Sequence, residues 1–480
     1  MKRFKNKVIA ILIAFTLIFT SLLFFDRQWR NKYNISATVE NEKLQGNLLL
    51  EYKSEQHLDE ISFCLYPNAF KNEENLKNVC APEMIDKAYP NGFSSGYIEI
   101  KSVKVNDKEA SYSLEENEQI LVVDTRVKKN KKMLIEIEFA EKLPNSPMRY
   151  GYFENTFNYG NWYPVLCPVE DGKAVKSVYC ANGDPFYSEC ADYLVEITTL
   201  QNLRLATSGK IISCSETPME KTYKIKGENI RDFAFVLSEK FEVLSKKIGK
   251  TLVYLYYFSS EECGKQMLDY AVYALQFFNQ KFGEYPYETY SVVESDFYIG
   301  GMEYPNLVLI SGELNKNPNS LEEVVVHETA HQWWYGIVGN NEVAEPWLDE
   351  GLTQYSTALY YENRYGKDKY KSYMQQSESY IKIILKLLKE NDVSIEGKID
   401  KFKNTLLYDA VVYDTTSIML DTLRGVIGQD AFDKSIKLYF EENKFKIATK
   451  QSFLSALKTV AGTKAIEIVE AFLKGKVFGI

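Results

Sequence analysis

The 480-residue chain holds three histidines, and two of them, His327 and His331, stand four residues apart in the string VVVHETAHQWW. On a helix that spacing is about one turn, a rise of roughly 6 Å, so both imidazoles project from one face. Two imidazoles so placed can reach one zinc ion at about 2.0–2.1 Å. Glu328 points to a neighbouring face, where it reaches a water on the metal rather than the metal itself. This is the His-Glu-x-x-His arrangement of zinc hydrolases, with Glu328 as general base. Glu350 follows in Trp347-Leu348-Asp349-Glu350-Gly351, with 18 residues between it and His331. A short loop and an antiparallel helical return bring its carboxylate back as third ligand. Two histidines and one glutamate leave the fourth position of a single zinc to water, which marks a catalytic site. With so few histidines, chance rarely yields this pair, and a nucleophilic serine or cysteine would have only His57 to serve it.

These side chains need a frame. Ser320 and Glu323 read as a capping box opening the histidine helix, over about residues 320–337. Further helices are expected at about 347–365, 370–390, 405–426, 429–442 and 450–474, with an amphipathic helix over Glu261–Phe282 ended by Gly283 and Pro286. A strand pair interrupted by Gly300-Gly301 covers Tyr290–Ile310. Upstream, from about Tyr33 to Lys250, the text is strand-like. Period-two runs such as Met133–Phe139, Tyr193–Thr198 and Asp232–Leu237 alternate with turn residues. The run Lys128–Lys132 reads as a solvated hairpin loop, and Asn161-Trp162-Tyr163-Pro164 as core or cleft wall. The fold class is therefore α+β: a β-rich domain over residues 33–250, then a mostly helical catalytic domain over 251–480.

HETAHQWW followed by WLDEG resembles the gluzincin aminopeptidases, the family of membrane alanyl aminopeptidases and leukotriene hydrolase. Gly300-Gly301-Met302-Glu303-Tyr304 is similar to that family's G-x-M-E-N segment, with Tyr304 in place of Asn. The resemblance implies an edge strand along which substrate lies, with Glu303 gripping its free α-amine. Tyr413-Asp414-Thr415-Thr416 resembles the family's Tyr-x-Lys-Gly helix, Thr415 and Thr416 replacing Lys-Gly, and implies that Tyr413 stabilises an oxyanion. Tyr408 is the competing tyrosine. Residues 187–193 and 231–235 look like segments of the family's saddle-shaped all-β N-terminal domain, and the catalytic domain is implied to be thermolysin-like. No counterpart is found for the N-terminal domain's Gln or Glu that helps to hold the amine, and the family's C-terminal helical domain has no counterpart either.

The expected activity is hydrolysis of N-terminal residues from peptides with a free N-terminus. The competing readings are a zinc endopeptidase or non-peptide hydrolase on the same site, and a catalytically silent binding or scaffold relative. A formal charge of −9 argues against a nucleic-acid partner. Oligomeric state is left open. Residues 1–7 carry four positive charges and no acid, and Val8–Phe25 is an 18-residue run without charge, long enough to span a membrane. The expectation is a single-pass anchor at the cell membrane, basic flank inside and catalytic body on the extracytoplasmic side, or a secreted body if the segment is cleaved. All seven cysteines precede residue 264. Disulfides are permitted outside the cytoplasm, with Cys167, Cys180 and Cys190 close enough in sequence to pair locally.

Overall fold

The computed structural model describes residues 29–390 and 394–475. The expected membrane helix lies outside the described residues, and none of the described helices is long and apolar enough to cross a membrane.

The strand-like text forms a β-rich body. Its largest sheet has eight strands, in the order Lys210–Glu216, Glu220–Ile230, Ala191–Leu200, Lys32–Glu40, Lys43–Lys53, Lys132–Lys142, Tyr97–Val105 and Lys108–Glu109. Alternate residues, such as Met133, Ile135, Ile137 and Phe139, are buried while their neighbours stay wetter, as period-two patterning dictates. Two four-stranded sheets pack beside it. Lys128–Lys132 does not close a hairpin. The strand before it, Ile120–Val123, pairs with Ile61–Cys64 and Tyr112–Glu115, whereas Lys132–Lys142 belongs to the large sheet, so the basic run is a crossover between sheets. Trp162, fully buried, donates to the Phe233 carbonyl, so the Asn161–Pro164 segment is core. The body is not purely β, because short helical turns at Tyr66–Phe70, Leu76–Val79 and Ile85–Ala88 cross it.

A five-stranded sheet joins the two halves. Thr251–Tyr257, Thr289–Ser295 and Leu307–Ser311 run parallel, and Gly301–Met302 pairs antiparallel on the outer edge of Leu307–Ser311. The expected strand pair is thus three strands, because the loop after Ser295 lets the chain return to lay down the edge. Val293, Leu307 and Leu309 belong to the apolar core of the β-rich body, while Val292, Val308 and Ile310 belong to that of the helices. This two-sided burial explains the continuous apolar text of these strands.

Helices at Glu261–Lys281, Pro318–Ala330, Glu350–Tyr365, Lys367–Leu388, Thr416–Ile427 and Gln429–Asn443 follow the expected apolar periodicity. The last expected helix is two, Lys450–Ala461 and Thr463–Leu473, broken at Gly462 with φ 78°. Buried Arg231 ties the halves together, donating to the carbonyls of Ser188, Tyr335 and Lys446 at 2.7–3.1 Å.

Candidate active site

The helix that carries the histidines begins earlier than the capping box implies. Asn317 is the N-cap, its side chain accepting from the Ser320 amide, and Pro318 takes the first helical position. A proline needs no N–H there and arrives with helical φ, so it moves the start by two residues. The helix also ends sooner, at Ala330. His331 is its C-cap but keeps helical dihedrals and still bonds to the His327 carbonyl. The two imidazoles therefore share a face. Beyond them a 3-10 turn, Pro346–Leu348, feeds the helix Glu350–Tyr365, so Glu350 sits on its first residue rather than one turn in.

The three expected ligand atoms converge. His327 Nε2 and His331 Nε2 are 3.1 Å apart, and Glu350 Oε2 lies 3.3 and 3.1 Å from them. Tetrahedral ligands at zinc distance stand about 3.3 Å apart, so the spacing is that of a zinc cage. The donor set agrees with the geometry. His331 Nδ1 faces the Trp334 carbonyl at 3.0 Å and Asp349 at 2.7 Å, which leaves Nε2 as a lone pair aimed at the other two atoms. The residues fit zinc. Burial lowers the pKa of His327 and favours the neutral form a ligand takes. At His331 burial is outweighed by Glu303, Glu350 and Asp349, which raise its pKa, so a metal bound there displaces a proton. Burial also opposes ionisation of Glu350, but His331 and His327 outweigh it and hold the carboxyl well below its ordinary range.

Glu328 is 5% exposed, with one carboxylate oxygen unpartnered among the described residues. Burial pushes its pKa up to about 8, against the pull of His331. Its carboxylate rests on the edge strand: a Cβ built on Gly301 would stand 2.4 Å from Glu328 Oε1. Gly301 thus makes room for Glu328, while Gly300 meets only Val324. Glu303 follows on the same segment, buried, with Oε1 unpartnered and its pKa raised by burial and then by Asp184. Tyr304 turns the other way. Its hydroxyl donates to Asn161 inside the β-rich body, against Gly160, so the missing Asn is replaced by a core residue and not by a cleft residue.

Tyr413 lies on a π-helical stretch, Asp409–Thr415, between Thr405–Tyr408 and Thr416–Ile427; the single expected helix is therefore interrupted. The Thr415 hydroxyl donates back five residues to the Ala410 carbonyl inside this widened turn. From it Tyr413 donates to Glu350 Oε1 and stacks on His327, with ring centres 5.8 Å apart. Thr416 packs onto Gly351, where a Cβ would come within 2.2 Å of its methyl, so this threonine sets the approach of the tyrosine helix to the Glu350 helix. Tyr408 is buried with its hydroxyl against Gly183, and its ring meets Tyr413 edge-on.

Two cleft residues escape the sequence reading. Asp349 faces His331 as described; its place beside Glu350 was a usable signal. Asp184 comes from the β-rich body, held by a half-buried ion pair with Arg149, and its carboxylate gathers with Glu303 and Glu350 within 4.8 Å. Nothing local in Asn182-Gly183-Asp184-Pro185 announces this. His57 is exposed and far from this chemistry, accepting from the Lys129 amide.

Comparison with known proteins agrees with the geometry. Residues 266–474 match the Peptidase family M1 domain. Aminopeptidase 2 of Candida albicans is 24% identical over 292 residues, 58% of this chain and 31% of that protein. Aminopeptidase B of Mus musculus is 30% identical over 187 residues, 36% of this chain and 28% of that protein. The matched part of the chain thus spans about a third of the length of these relatives. Among solved structures, an M1 zinc metallopeptidase mutant from Deinococcus radiodurans bound to Tyr-ser-ala substrate superposes with TM-score 0.65 at 16% identity, covering 94% of this chain and 96% of that one. That likeness shows the fold: a β-rich N-terminal part followed by a helical one.

Proposed function

We propose that this chain, which belongs to peptidase family M1 through residues 266–474, is a zinc-dependent aminopeptidase that hydrolyses N-terminal residues from peptides. The observation that carries this reading is the meeting, in one cleft, of the His327–His331–Glu350 cage with the buried Glu303, whose Oε1 has no partner among the described residues. Zinc held by those three side chains supplies Lewis-acid polarisation of the scissile carbonyl and acidifies a water.

The protein's own groups do the rest. Glu328, parked against Gly301, takes the proton of the attacking water and delivers it to the leaving nitrogen. The Tyr413 hydroxyl, beside Glu350, donates to the oxyanion as it develops. Glu303 pairs with the substrate's α-ammonium, where a buried carboxylate binds a cation most strongly. Asp184 adds a second carboxylate from the opposite wall. The outer edge of Gly301–Met302 offers backbone groups to an extended peptide. Register is set by the distance from the ammonium site to the metal, so one residue is released per turnover.

Purified full-length protein is expected to bind one zinc per chain. Glu328→Gln should keep that zinc and lose at least 100-fold in turnover. Unchanged turnover in this variant contradicts the general-base role, and full activity in a zinc-free protein contradicts the reading as a whole.

The chain is further proposed to sit at the cell membrane, anchored through residues 8–25 with the catalytic body outside. The uncharged run and its basic flank support this. Extraction of the full chain from membranes by alkaline carbonate, without detergent and without cleavage, contradicts it.

A further inference from the structure

Outside the catalytic cleft, one pair of reactive groups stands in contact. Cys64 and Cys167, both buried, have their sulfurs 3.4 Å apart. The contact comes from strand register. Cys64 ends the strand Ile61–Cys64, Val165 pairs directly with Cys64, and the Cys167 amide bonds to the Ser62 carbonyl, so the two thiols share one face of adjacent strands. Cys64 also reaches the Ser177 carbonyl at 3.3 Å. These contacts sit at the root of the irregular segment 175–190, which carries Asp184 into the cleft. Among the described residues no other two cysteine sulfurs touch. Buried cysteines often act as small apolar side chains, but they need not face each other to do so.

We infer that Cys64 and Cys167 are a disulfide site, closed by exchange with a disulfide-bearing oxidant such as oxidised glutathione or a thiol–disulfide oxidoreductase. Either sulfur can donate to the other; with the Cys167 S–H as donor, Cys64 is favoured as the first thiolate. Its thiolate attacks one sulfur of the oxidant, forming a mixed disulfide and expelling one thiol. The Cys167 thiolate then attacks Cys64 Sγ and expels the second. Two protons and two electrons pass to the oxidant, which leaves as two thiols. Forming the bond requires the sulfurs to close by roughly 1.4 Å, within the reach of side-chain torsions. The bridge joins positions 103 apart in sequence, so it ties the strand Ile61–Cys64 to the chain just after Val165–Leu166, upstream of the segment bearing Asp184.

The test uses the full chain, refolded in detergent across glutathione mixtures from reducing to oxidising, then alkylated and digested without reduction. At oxidising poise the expected result is a Cys64–Cys167 linked peptide, with five alkylated cysteines in place of seven. The oxidised protein should also melt several degrees above the reduced one, a difference that disappears in Cys167→Ala. Seven alkylated cysteines at every poise overturn the inference, as does Cys64 or Cys167 joined to another partner. The wild-type peptide map stands whether or not the variant folds.

Discussion

Gly301→Ala isolates the placement of the general base from every other part of the site. The new methyl carbon would stand 2.4 Å from Glu328 Oε1 and 2.5 Å from Cδ, where ordinary contact begins at 3.4 Å. The carboxylate must therefore withdraw by about 1 Å. It can do so, because the obstructed atoms, Cγ as well as the carboxylate, belong to one flexible side chain and Gly301 has no left-handed backbone that alanine would strain. The fold should survive: overpacking costs on the order of 1–3 kcal/mol, partly offset by a stiffer unfolded chain. The three metal ligands do not touch Gly301, so zinc content should hold. A 1 Å displacement of a catalytic group costs on the order of 100-fold, or roughly 2.7 kcal/mol in the barrier. The assay is steady-state hydrolysis of an aminoacyl fluorogenic amide, with zinc measured on the same preparation. kcat should fall about 100-fold with KM changed far less. In a Glu328→Gln background the same substitution should cost almost nothing, because the base it displaces is already lost. A kcat within twofold of wild type, or a full further loss in the Glu328→Gln background, refutes the placement of Glu328.

Other substitutions test the surrounding groups. Asp349→Asn removes the charge facing His331 Nδ1 and should weaken zinc 10- to 100-fold, read by competition with a chelator of known affinity. Glu303→Ala should raise KM for substrates with a free amine and leave N-acetylated ones at their low basal rate; equal effects on both would remove the ammonium assignment. Asp184→Asn should act in the same direction but less strongly, since Glu303 remains. Arg231→Met deprives three carbonyls of their donor in a buried place and should destabilise the fold by roughly 3–5 kcal/mol, measured by urea unfolding with zinc present.

The parts of the site legible in the sequence are those whose geometry is local. His327 and His331 share a face because helical pitch puts them there, and Glu328 follows from the same pitch. Glu350 follows from the short loop and antiparallel helical return, Glu303 and Tyr413 from motif resemblance, and each lies in the cleft. Helix ends were less legible. Pro318 competes with Ser320 for the start, and the apolar Trp333 and Trp334 continue a helical pattern although the chain has already turned. The π-turn at Asp409–Thr415 leaves no periodic trace, since one extra residue per turn is absorbed within an otherwise amphipathic run. Asp184 and Arg149 were out of reach for a different reason. They pair within the β-rich body across 35 residues, and Asp184 reaches Glu303 and Glu350 of the catalytic half only through the fold, from a segment without regular structure. The Cys64–Cys167 contact is of the same kind, set by strand pairing across 103 positions, whereas sequence proximity pointed to Cys180 and Cys190.

In the proposed function, hydrolysis is confined to the first peptide bond because carboxylates in the cleft hold the substrate's free amine. The most direct measurement is the rate at which full-length, zinc-replete protein cleaves an aminoacyl amide beside the N-acetylated form of the same compound. Acetylation is expected to lower kcat/KM by at least 100-fold. Equal cleavage of the free and blocked compounds would contradict it.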